Sequence, residues 1–362
     1  MRVGIGALVM AGCIGEASAQ ITPAAGYTPP DDTPSIRVGM TFFGDYTFTK
    51  SPEATDTDGN SINPSAFNVG RSYINITGNV SHIVAFRLTP DIARETGAGS
   101  SLNGSLTFRV KYAYGQFNLD DWMARGSWAR LGIQQTPWVD FQENVYRYRF
   151  QGTVFSEREG FLSSSDAGAS FHYNLPSNYG DVHVGVYNGE NYNRVEPNDQ
   201  KALQVRGTVR PLAHSSMLAL RGIRVHGFYD ADHYVKDAPR RRALGSVTFE
   251  HAHLNAGVDY LNATDQTSVT KGEVDGQGYS VWATPRATNG WEGLLRYDHM
   301  TPNTALGSQT KSRIILGLAY WFPHQGSVSS ALLLDYDGQA FSSFVPEQAK
   351  QQKIAVHGLI AF

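Results

Sequence analysis

The sequence predicts an all-β chain, a transmembrane antiparallel β-barrel of about 16 strands, and three observations carry that expectation. Apolar and polar residues alternate with the two-residue period of a strand that has one wet and one apolar face. The connections between these runs alternate between short and long, as periplasmic turns and external loops do in outer-membrane barrels. The last run is still alternating when it reaches a closing aromatic, Phe362.

Taken in order, the chain begins with Arg2, an apolar run from Val3 to Ile14, and Ala17-Ser18-Ala19 ahead of Gln20. A charged start, an apolar centre and a small-residue cleavage site read as a secretory signal peptide over 1–19. A lipoprotein box at Met10-Ala11-Gly12-Cys13, with Cys13 lipidated, is the competing reading. Residues 20–34 carry four prolines without apolar period and form a Pro-rich linker. The barrel domain then takes 35–362. In its first run Ile36, Val38, Met40, Phe42, Tyr46 and Phe48 share one face, with Arg37, Thr41, Asp45 and Thr47 opposite. Equivalent runs place strands at 35–49, 66–80, 82–94, 104–118, 127–137, 165–175, 179–190 and 200–211. They continue at 219–231, 238–250, 252–263, 276–286, 289–300, 310–322, 327–339 and 350–362. Alternation is weakest at 219–231 and 238–250, where Arg221 and Arg240-Arg241-Arg242 blur it. Long connections fall at 50–65, 95–103, 138–164, 191–199, 232–237, 264–275, 301–309 and 340–349, with short ones such as 119–126 and 212–218 between them.

The composition excludes other classes. Of 362 residues, 41% are hydrophobic and 17% charged, so the chain folds rather than staying disordered. No run approaches the roughly 18 uncharged apolar residues of a spanning helix, which excludes a helical transporter. A net charge of −3 gives no basic excess for nucleic acid. The single cysteine lies in the leader, so the mature chain has no disulfide and no thiolate chemistry.

On this register the apolar faces meet outer-membrane lipid, with Ile74, Val110, Leu316 and Val356 among them and Arg221 as the main charged exception. Phe48, Tyr112, Tyr114, Tyr320, Trp321 and Phe322, towards strand ends, fit interfacial girdles. The opposite faces line a water-filled lumen. Its candidate pore-lining cations are Arg71, Arg87, Arg109, Lys111, Arg130, Arg206, Arg296 and Arg313, with Arg37, Arg210, Arg224 and Lys353 of the same parity. Inward carboxylates are fewer: Asp45, Asp91, Asp166, Asp181, Asp259, Glu292, Asp298 and Asp335. A low-dielectric wall focuses such an excess into an anion preference. A carboxylate partner across the strands for each arginine is the alternative.

Connection 138–164 is longer than unstructured loops usually are. It sets Asp140, Glu143, Arg147, Arg149, Glu157 and Arg158 among Trp138, Phe141, Tyr146, Tyr148, Phe150, Phe155 and Phe161. Free exposure of so many aromatics is costly, so this third external loop is expected to fold inward and narrow the channel. A surface lid or a subunit contact is the alternative.

The segment FNVGRSYINITGNVSHIVAFRLTPDI at 67–92, LGIQQTPW at 131–138 and FSEREG at 155–160 resemble the front half of the phosphate-selective porin O and P family. Arg71, Tyr73 and Gly78 match its first element, Arg87 and Asp91 the second, and Gly132, Thr136 and Pro137 the element leading into the pore-constricting loop. The resemblance implies a homotrimeric outer-membrane porin of a Gram-negative cell, without cofactor, passing small anions or other hydrophilic solutes. No enzyme signature competes with it. G-x-S-x-G, H-E-x-x-H and P-loop motifs are absent, and His251 with His253 reads as a solvated turn rather than a metal site. The alternatives are a substrate-specific channel for another small anion or an oligosaccharide, and a secreted β-rich lectin or hydrolase, the latter using a pair such as Asp335 and Asp337.

Overall fold

The computed structural model describes residues 32–362 apart from 98, 325 and 327. The leader, Cys13 and most of the linker lie outside the described residues. Alternating runs fold into sixteen strands that close on themselves, each antiparallel to its neighbours. The first eight are β1 (Ser35–Ser51), β2 (Ser65–Asn79), β3 (Val84–Arg94), β4 (Leu106–Asn118), β5 (Trp128–Gln135), β6 (Ser165–Asn174), β7 (Gly180–Tyr187) and β8 (Ala202–Val209). The second eight are β9 (Ile223–Val235), β10 (Ala238–His251), β11 (Leu254–Asp265), β12 (Val274–Pro285), β13 (Trp291–Thr301), β14 (Thr310–Trp321), β15 (Ser329–Ser342) and β16 (Gln351–Ala361). Pairing of β1 with β16, Tyr46 opposite Val356, removes the last free edge. The outer face is apolar as read: Val110, Leu316 and Val356 are exposed there.

Three expectations need correction. The strand expected at 219–231 begins at Ile223, so the connection expected at 212–218 is the longer 210–222 and holds Arg221 in a short 3-10 helix, Leu218–Gly222. The external loop expected at 232–237 shrinks to a turn at Lys236-Asp237, with Asp237 at φ 62. The cause is ion pairing: Arg240 and Arg242 point inward to Asp232 and Asp265, which extends the β9–β10 ladder through residues that read as a break.

The second correction is to the girdle. Tyr112 and Tyr114 face the lumen, because the β3–β4 register shifts at Thr89/Pro90 and passes over Lys111. Pro90 has no N–H to give the ladder, and the extra residue reverses parity along the rest of β4. Trp321 also points inward.

The third concerns the lumen. From β9 to β16 the inward positions include Phe228, Leu244, Leu261, Trp282, Leu294, Ile315, Leu333 and Leu359, all buried in one cluster. On that half the inward apolar side chains form a core cluster, with Asp259, Arg296, Asp298 and Asp335 buried beside it.

Candidate functional site

The segment 136–164 folds into the barrel and covers that apolar half. Pro137 sits at the first position of helix α1 (Pro137–Tyr146), where its missing N–H costs nothing, and Asp140 lies in the first turn, where the helix dipole favours it. Gly132, just upstream at φ +125, is required: a Cβ there would sit 2.3 Å from the Ala113 carbonyl oxygen. One side of α1 is apolar. Trp138 lies 5.0 Å from Phe141 and 5.6 Å from Phe228, ring centre to ring centre, and Phe141 stacks on His226 at 4.0 Å. Arg147 ends the helix in the left-handed region at φ 68, its N–H donating to the Glu143 carbonyl, and this reverses the chain. On the return leg Tyr148 and Phe150 pack on Trp321, and Phe150 reaches Phe43 on the opposite side. A second short helix, α2 (Phe155–Arg158), completes the loop.

Ion pairs fasten the loop at its charged positions. Arg147 pairs with Glu292 at 3.3 Å, a carboxylate it shares with Arg286. Arg149 pairs with Glu143 at 2.7 Å within the loop. Arg158 meets Asp337 at 3.3 Å, which Arg313 also holds at 2.9 Å, and Glu159 takes Lys311 at 3.0 Å. Gln151 donates to Asp335, the other carboxylate of the hydrolase alternative. Burial pushes Glu143 above the usual carboxylate range against the pull of Arg149, and lowers Arg158 to about 10. Asp140 is half-buried and has no cation within 4.0 Å among the described residues, and Glu157 likewise makes no ion pair of that length.

The other half of the inner wall, β2 to β8, is polar and basic. Arg71 and Arg109 share Asp91, with the Tyr192 hydroxyl 3.2 Å from Arg71. Arg87 donates to Thr89 and Asn75, both at 2.9 Å, and lies 4.4 Å from the Tyr112 ring centre. Lys111 lies 3.4 Å from the Tyr73 hydroxyl and 4.8 Å from the centre of its ring. Arg130 donates to Gln116 and Gln135 and stacks on Trp128 at 3.6 Å. These are cation–π contacts, which hold a cation without neutralising it. Tyr112 lies within electrostatic range of Lys111 and Arg87 on its own wall and of Glu143 and Asp140 on α1, so the basic wall and the loop's acidic edge meet there.

The candidate cations therefore divide. Arg71, Arg87, Arg109, Lys111 and Arg130 come together on β2 to β5. Arg206 is paired with Asp181, Arg296 with Asp298 and Arg313 with Asp337, away from that group. Asp230, Asp232, Arg240 and Arg242 are further lumen residues that the sequence reading missed. Their two-residue spacing was the available signal. Among the described residues no cluster of three or more His, Cys, Asp or Glu could hold a metal ion.

Structures of outer-membrane proteins share this architecture. The loop L8 deletion mutant of OmpT, an outer membrane protein of Vibrio cholerae, matches with a TM-score of 0.61 at 15% identity, over 91% of this chain and 100% of that one. The outer membrane channel DcaP of Acinetobacter baumannii matches at 0.60 and 12%, over 93% and 100%. Salmonella typhi OmpF matches at 0.62 and 11%, over 91% and 98%. At such identities the likeness establishes the fold. No family model matches the chain, and no curated protein matches it by sequence.

Proposed function

We propose that the chain is an outer-membrane porin of a Gram-negative cell, exported by the leader 1–19, assembled as a homotrimer and passing small hydrophilic solutes by diffusion with a preference for anions. The observation that carries this reading is the β2–β5 wall. Two guanidiniums there share one carboxylate, Asp91, while Arg87 and Lys111 bind neutral groups, so the wall keeps a positive excess where it faces the inward loop. Arg71 and Arg109 are partly exposed to the lumen, where water screens a charge over about 8–10 Å, and the buried Arg87 and Lys111 act on the same space with less screening. DcaP is described as an outer membrane channel, and one OmpT form as a trimer, which agrees with this assignment. Phosphate is one anion the arginines could take, since guanidinium and phosphate match in geometry.

The test is the zero-current potential across a bilayer in a KCl gradient. Replacing Arg87, Arg109 and Lys111 together by Glu turns an anion-preferring pore towards cations. An unchanged potential with conductance intact removes the selectivity assignment.

A further inference from the structure

Above α2, at the external mouth, lies a cavity of about 520 Å³, within the usual range for small-molecule sites, about 300–1,000 Å³. Of its lining, Arg158 and Arg313 were read from the sequence as loop and pore-lining residues, and the rest was not. Three features define its chemistry. Arg158, Lys311 and Arg313 face Glu159 and Asp337, which leaves one positive charge in excess. Arg313 is already held by both Asp337 oxygens, at 3.0 and 2.9 Å, and by Gln339. Next, Gln348 and Gln351 make no side-chain hydrogen bond among the described residues, and Gln339 has only its carbonyl oxygen engaged. Those amides offer unpartnered donors to an open space. Finally, Phe341 and Phe344 stand edge to face at 5.9 Å on the same lining.

A small inorganic dianion uses little of this. It has no apolar face for the phenyl rings and calls for guanidiniums free of carboxylate, whereas these are largely engaged by Asp337. A neutral sugar leaves the excess cation unanswered. A pyranose ring carrying one carboxylate answers all three features: C–H face to phenyl, vicinal hydroxyls to planar amides, and a single negative charge to the excess cation, which lies where Arg158 and Arg313 share Asp337 while Lys311 is matched by Glu159. We infer that this vestibule is a binding site for a sugar acid, which it captures before the solute passes to the constriction. The inference rests on the channel reading for its purpose but not for its chemistry.

The test uses the full-length protein in two formats. In planar bilayers, sodium glucuronate added to the external side is expected to interrupt the KCl current in a concentration-dependent way. Glucose and acetate are expected to need at least about tenfold more, the worth of one charge-assisted or well-made polar contact set. Normalised to each variant's own open-channel current, Gln348→Ala with Gln351→Ala, and separately Lys311→Gln, are expected to weaken glucuronate block by about the same factor. Gln348 and Gln351 make no side-chain hydrogen bond among the described residues, so the double variant is expected to fold even if Lys311→Gln disturbs the loop. Equal block by acetate or by glucose, or block untouched by the double variant, overturns the inference. Equilibrium dialysis of radiolabelled glucuronate against detergent-solubilised protein separates the two readings: binding without any KCl conductance overturns the channel, and conductance without binding overturns the site.

Discussion

Strands β2 to β5 turn Arg71, Arg87, Arg109, Lys111 and Arg130 to the lumen, whereas β9 to β16 turn Phe228, Leu244, Trp282, Ile315 and Leu333 to the same space. Both halves have the same strand geometry and an apolar outer face. What differs is the cover. The apolar half is stable only because 136–164 lies on it and supplies Trp138, Phe141, Val145, Tyr146 and Phe155 as the second layer of a core. The basic half meets the loop's charged edge instead: Arg87, Lys111 and Arg130 are buried there and held by aromatic rings and neutral polar groups, while Arg71 and Arg109 share Asp91 and stay partly exposed. The inward loop is therefore a core element of the barrel as well as a plug in its lumen.

The largest effect is expected from removing that cover. Deleting 141–156 takes away most of the second layer, so single-channel conductance rises and larger solutes enter. The exposed apolar wall also lowers the temperature at which the folded band disappears on an unheated gel series. Conductance and heat stability both unchanged in an inserted variant would break the comparison, since the loop would then neither narrow the lumen nor complete a core.

Single substitutions sharpen it. Trp138→Ala, at a fully buried ring in the covered half, is expected to cost about 3–5 kcal/mol in urea unfolding from detergent. Arg87→Gln should cost less, about 1–2 kcal/mol, because Thr89 still donates to Asn75 at 3.1 Å when the guanidinium is gone. The reverse order would mean that the basic wall, not the loop, organises the interior.

Selectivity should divide the same way with smaller effects. Lys111→Gln is expected to move the zero-current potential slightly towards cations. Arg296→Gln is expected to leave it in place, because Arg296 is roofed by the Thr153 carbonyl at 3.0 Å and lies under the loop. A larger shift from Arg296 would place ion flow on the covered side.

The smallest effect belongs to the rim beneath the basic half. Hydrogen bonds donated to Asp32, and then to Asp121, raise His82 above its ordinary value, and the same contact lowers Asp32. A raised histidine stabilises the folded arrangement fully below its unfolded value, about 6.5, and loses that contribution as pH rises through the folded value. Proteolysis at the Asp32 segment is therefore expected to speed up as pH rises through that window, and to lose this dependence in His82→Gln. A His82 titration midpoint at the ordinary value, read by NMR, would remove the effect.

Much of this was legible in the residues. The strands were readable because lipid on one side forces an unbroken apolar parity, and a single parity error would put a charge in hydrocarbon at about 2–4 kcal/mol. The inward loop was readable from its aromatics. The vestibule at Lys311 and Gln351 was not, because it draws on β14 to β16, the loop after β15 and the 136–164 loop, which are distant in the chain. The apolar cluster left a faint trace: Ile314-Ile315-Leu316 and Leu332-Leu333-Leu334 are apolar on both parities, where a wet wall would alternate.

By itself the sequence determined the strand count, the lipid-facing side of most strands and the presence of an inward loop, since period and length are local properties of a chain. Only the tertiary structure decided which half of the lumen carries the apolar cluster, which cations share a carboxylate and where Tyr112 points. Those outcomes depend on which strand lies opposite the loop, on carboxylates arriving from distant strands, and on one bulge beside Pro90, and none of them is a property of a residue and its near neighbours.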